Sequence, residues 1–175
     1  MKNYKIRTAC IVVVLLMAAF AARSAVAQEK GKSLKQPLKL EIKANLVSIV
    51  EKNGKKVTEL KPADNAERGD VLVYAITYTN EGKAPLKDIS VVDPVPKGTV
   101  YIIGSADGKD TEIGFSIDGG RVFQKPPIKY IEEKPDGKSE EKEAPADMYT
   151  HIKWLIAKTV EPGKSGKVSF KVKVK

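Results

Sequence analysis

His151 is the chain's single histidine, so an imidazole acting as general base near neutral pH can come only from this side chain. A nucleophilic serine needs such a base in a recognisable setting, and neither G-x-S-x-G nor H-E-x-x-H occurs. His151 reads as a strand residue near a sheet rim, and no catalytic residue is assigned. Asp107, Asp110 and Glu112 surround Gly108 and offer the carboxylate oxygens that calcium prefers. The EF-hand spacing is absent, and a Gly-Asp-rich surface turn has the same composition. These three stand as candidate calcium ligands, and no cofactor is expected. Tyr74, Tyr78 and Trp154 carry flat faces that can stack on sugars, but strand parity sends the tyrosines inward, to the core.

The elements that must position these residues read as strands throughout. Leu72, Tyr74, Ile76 and Tyr78 alternate with Val71, Val73, Ala75 and Thr77, the two-residue period of a strand with one buried face. Asn80-Glu81-Gly82 supplies a turn. Residues 89–92 form a second strand, and Pro94 and Pro96 are expected to end its pairing after Val92. Residues 38–42 and 46–50 alternate on either side of Ala44-Asn45, which reads as a bulge or bend between two half-strands. Asn53-Gly54 marks a hairpin turn before residues 56–60. Further strands are expected over 99–104, 113–117, 150–157 and 166–174. No stretch beyond the apolar segment near the N-terminus sustains a 3.6-residue period. The expectation is an all-β, antiparallel sandwich.

Two strand faces raise questions of partners. Val168, Phe170, Val172 and Val174 face one way and Lys167, Lys171, Lys173 and Lys175 the other, so a one-residue slip would bury lysines and the register is strongly specified. Those lysines read as a defence of a terminal strand against edge-to-edge aggregation, with binding to an anionic envelope polymer as the alternative. Val71, Val73 and Ala75 are apolar on the face opposite Leu72, Tyr74 and Ile76. Either another part of the chain folds over them, or they form an association surface for a second copy or another protein.

The N-terminus reads as an export signal. Lys2, Lys5 and Arg7 precede an apolar run over residues 9–22, and Ala25-Val26-Ala27 provides the small residues of a cleavage site before Gln28. The run is short of the roughly 20 residues that span a bilayer, so no transmembrane span is expected after cleavage. Removing residues 1–27 takes away four basic residues and no acidic one, lowering the formal charge from +9 to +5 and leaving 148 residues. That length suffices for one sandwich burying about two thirds of its unfolded surface. The only cysteine, Cys10, leaves with the signal, so disulfides and thiol chemistry are excluded from the mature chain. A modest lysine excess without an aromatic-basic ladder does not indicate nucleic acid. Residues 28–37 read as a flexible leader and 38–175 as one domain.

Within that domain the alternation lapses between about 129 and 147. Residues 132–143 hold six acidic residues and three lysines with no apolar side chain, and read as a solvated loop; a recognition loop is the alternative.

The run Gly69-Asp70, residues 72–78, Thr79-Asn80-Glu81-Gly82, Ala84-Pro85, Val91-Val92-Asp93-Pro94 and Pro96-Lys97-Gly98 resembles a bacterial repeat domain, the family catalogued as domain of unknown function eleven. Trp154, Glu161-Pro162-Gly163 and the strand through Val168, Phe170, Val172 and Val174 resemble its closing element. The resemblance covers about residues 60–175. It implies an immunoglobulin-like sandwich in an exported cell-surface or envelope protein and brings no catalytic residues. Here there is one copy rather than a tandem array. The functional expectation is a non-enzymatic structural or interaction module, exported to the periplasm, cell surface or extracellular matrix, whose partner is an envelope protein or a second copy. A glycan- or calcium-binding module is the alternative.

Overall fold

A computed structural model describes residues 37–175. The expected signal peptide and nearly all of the leader lie outside the described residues. The described chain is all-β, with antiparallel sheets packed together.

Its strands are β1 (Leu38–Lys52), β2 (Lys55–Pro62), β3 (Val71–Asn80), β4 (Ile89–Pro94), β5 (Thr99–Tyr101), β6 (Asp107–Gly108), β7 (Thr111–Ser116), β8 (Lys129–Glu133), β9 (Ser139–Glu143), β10 (His151–Ile156) and β11 (Ser165–Val174). The larger sheet runs β2-β1-β3-β11-β5, with β6 also on β11; the smaller runs β4-β10-β7; β8 and β9 pair only with each other. Every pairing is antiparallel.

The core lies where the alternation points. Leu72, Ile76 and Tyr78 of β3 and Val168, Phe170 and Val172 of β11 are buried against Val91, Phe115, Ile152 and Trp154 of the smaller sheet. Tyr74 stacks on Phe170 at 5.3 Å, and Trp154 lies 6.0 Å from the same ring. A second aromatic group joins Tyr101, Phe115 and Tyr149, with centroids 5.3 to 5.6 Å apart. Both geometries lie in the favourable range for aromatic pairs. Tyr78 is buried and Tyr74 half-buried against Phe170, as parity requires, and Trp154 is buried as well, so their faces are not presented to a sugar.

Four expectations change. The Ala44-Asn45 break is no bend, because β1 is continuous over Leu38–Lys52. It marks a change of partner instead: β1 pairs with β3 over residues 38–46 and with β2 over 45–52. Pro94 does not end β4's pairing, since His151 still stands opposite it. A proline is tolerated there because β4 is an edge strand. The lysine-bearing β11 is interior, between β3 and β5, so its lysines do not guard an edge.

The charged segment is also ordered. Residues 129–143 form a hairpin, closed by Lys134–Glu140 at 2.8 Å, Lys129–Glu141 at 2.7 Å and Lys142–Glu132. Its root is fixed where the Ala144 amide donates to the Ile128 carbonyl at 2.8 Å, both residues being buried. Composition alone misjudged it, because the hairpin has its own ladder, ion pairs across it, and Tyr130 packed against the core.

Candidate functional site

The residues with chemical potential fall into separate places. His151 stands opposite Ser116 on β7, beside a turn that places Gly120 against its ring. Ser116 Oγ donates to Asp118 Oδ1 at 2.6 Å and accepts from the Gly120 amide at 2.9 Å. The Arg121 and Val122 amides donate to the same Asp118 oxygen, each at 3.1 Å. Sequence spacing did not announce this grouping of a serine, an aspartate and a histidine. Its hydrogen bonds run from serine to aspartate and order the turn. The Ser116 hydroxyl and these amides hold the Asp118 carboxyl below the ordinary carboxylate range.

Asp93 lies on the inward face of β4, opposite Ile152, and is mostly buried. Burial pushes its carboxyl above the usual range, with the nearby His151 opposing that shift. Tyr74 is pushed up by burial and then by the Asp93 charge.

The candidate calcium ligands do not converge. Asp107 pairs with Ser169 on β11, Asp110 faces Lys158 at 3.9 Å and Glu112 faces Lys125 at 3.7 Å. No group of three or more such side chains able to hold a metal occurs among the described residues. Two clefts remain. One of about 510 Å³ is bordered by Tyr78, Lys109, Lys158, Lys164 and Lys167, with Asp110 and Glu161 interrupting the positive charge. The other, about 280 Å³, is apolar and lies against Tyr101, Ile113, Phe115 and Tyr149.

The outer face of the larger sheet carries the more developed feature. Val73 lies between Asn45 of β1 and Lys171 of β11, and Lys173 stands opposite Val71. Val71 and Val73 are half-buried and Ala75 is buried. Their cross-strand neighbours are Asn45 and Lys171 for Val73, Lys43 and Ser169 for Ala75, and Lys173 for Val71. Beyond Leu46 the strand β1 leaves β3 and continues as an arm paired, among the described residues, with β2 alone. Val47 is opposite Leu60 and Ile49 opposite Thr58 on the same outer face. Ile49 is 70% exposed and Leu60 56%. Val71 and Val47 are next in register past the end of the ladder, so the apolar strip passes from β3 onto the arm. The sequence expectation named Val71, Val73 and Ala75, which lie on this face. It missed the exposed part, because the arm's length follows from the partner change at Asn45.

Searches with the chain found no matching protein-family model, no matching curated protein and no matching solved structure. No family is therefore identified. What stands is an all-β chain of packed antiparallel sheets.

Proposed function

We propose that this protein is an exported, non-enzymatic interaction module of the bacterial envelope or extracellular matrix, built as an immunoglobulin-like sandwich. One observation carries the reading: an outer apolar strip that runs from Val71 and Val73 onto Ile49 and Leu60 of a projecting arm. Large apolar side chains held on an extended hairpin leave water only when another surface covers them. The chemistry-bearing side chains support the non-enzymatic part, since Ser116 and Asp118 are occupied in ordering a turn. The N-terminal charge and apolar pattern supports export, and the motif resemblance supports the envelope setting.

The test is a photo-crosslinking residue at position 49, introduced in the native host, with fractionation of the cell and identification of what is attached. An envelope or extracellular protein is expected, lost when Leu60→Lys is added. A chain that stays in the cytoplasm, or crosslinks that survive Leu60→Lys, would sink the proposal.

A further inference from the structure

Among the described residues, the first half of β1 has an unoccupied edge. β3 pairs with residues 38–46 on one side, while β2 reaches only to Asn45, opposite Pro62. Residues 38–44 thus have no strand on their outer side among the described residues. The smaller sheet has three strands against five along the larger sheet's path, and β1 gains little cover from it. Leu40 and Ile42 stand opposite Tyr78 and Ile76, on the core-facing side of the sheet. They are nevertheless 46% and 53% exposed. An uncovered core face beside open backbone donors and acceptors is a template for another strand.

The sequence of this edge selects the strand. Residues 38–42 read Leu-Lys-Leu-Glu-Ile. We propose that the chain forms a two-fold dimer in which residues 38–42 of two copies pair antiparallel about a dyad at Leu40. Leu40 then meets Leu40 of the second copy, and Leu38 meets Ile42, on the core-facing side. On the solvent side Lys39 meets Glu41 of the second copy, twice by symmetry. Opposite charges directly across a ladder are favourable and like charges are not.

The neighbouring registers fail. A slip of two residues one way places Glu41 opposite Glu41 and Lys39 opposite Lys43. The same slip the other way opposes the two Lys39 side chains. A slip of four centres the pair on Ile42 and recovers opposite charges, but sets Lys39 against Asn45, whose outer side β2 already fills at Pro62. Of these registers, the one centred on Leu40 satisfies both the charges and the length of edge free among the described residues. It joins the larger sheets of both copies into one. The proposal rests on the edge of β1 and not on the arm or on export.

The test uses the chain as recovered from cells, its N-terminus defined by intact mass. Wild type is expected to sediment as a concentration-dependent dimer. Lys39→Glu and Glu41→Lys should each weaken dimerisation by roughly tenfold or more, because both symmetric pairs change from attraction to repulsion. Mixing the two variants should restore association as a heterodimer in native mass spectrometry, and the double variant should dimerise with itself. Far-ultraviolet circular dichroism should confirm that every variant is folded. A monomer at the highest soluble concentration, single variants that dimerise like wild type, or a mixture that does not recover would each overturn the proposal.

Discussion

Asn80 shows how much one turn residue can hold together. It is fully buried, and its amide donates to the Ala84 carbonyl at 2.9 Å and the Val160 carbonyl at 2.8 Å. Its Oδ1 accepts from the Gly82 amide at 2.9 Å. The end of β3 is thereby tied to the segment leading into β11. Asn80→Ala removes all three bonds, although the Ala84 carbonyl is exposed and the buried Val160 carbonyl keeps the Leu86 amide at 3.0 Å, and should cost about 1–3 kcal/mol in urea unfolding; a change near zero would mean water replaces the amide. Gly166 is constrained differently. A Cβ there would collide with the Tyr78 ring, so Gly166→Ala should lower the melting temperature, and Tyr78→Leu should relieve part of that loss. Asp93 has the opposite sign of effect. Burial raises its folded pKa, so the folded chain holds that proton more tightly than the unfolded chain. Stability from this group is complete below the ordinary carboxylate pKa and lost as pH rises through the folded value. Asp93→Asn should therefore stabilise the protein at neutral pH, with the difference vanishing by about pH 3. A variant less stable than wild type at neutral pH would show that the carboxylate has a partner worth more than its burial cost.

At the scale of elements, periodicity located β3, β10 and β11 because each buries one face and exposes the other. The face of Leu72, Tyr74, Ile76 and Tyr78 was legible from the residues alone. Neighbour relations were not. Lysines spaced along β11 look the same on an edge strand as on the outer face of an interior one, and only the pairing with β5 separates the cases. Likewise, Leu40 and Ile42 carry the alternation of a core strand, yet the short opposing sheet leaves them exposed. The charged hairpin was misread for a related reason: its order depends on which lysine meets which glutamate, and composition does not contain that information. Exposed ion pairs contribute only about 0.2–1 kcal/mol each, so the hairpin should be dispensable to the rest of the fold. Ile131 and Glu141 are opposite each other. Replacing residues 132–140 with Asn-Gly between them should leave the melting temperature within a few degrees of wild type. A large drop would mean that the hairpin packs on the sandwich beyond Tyr130 and its root at Ile128 and Ala144.

For the molecule as a whole, the unequal sheets divide the structure into a protected centre and a projecting arm. β3 and β11 lie in the middle of the larger sheet and β10 in the middle of the smaller, with their inward side chains buried. Amides in such strands are released only by global opening, whereas strands with exposed side chains and a single partner open locally. The arm formed by residues 47–52 and 55–60 has one ladder and large exposed apolar groups. Hydrogen exchange should therefore order the strands: the arm fastest, β3, β10 and β11 slowest and close to the global unfolding free energy. Residues 38–42 supply the informative case. Their amides that face β3 should be protected at any concentration, since that ladder lies within one chain. The amides that face the open edge should exchange freely in dilute protein and become protected as concentration rises, if a second copy pairs there. Lys39→Glu should abolish this concentration dependence while leaving the β3-facing amides unchanged. Open-edge amides that stay equally protected at all dilutions would mean that the edge is already filled from within the chain, and the Leu40 dyad would have to be abandoned.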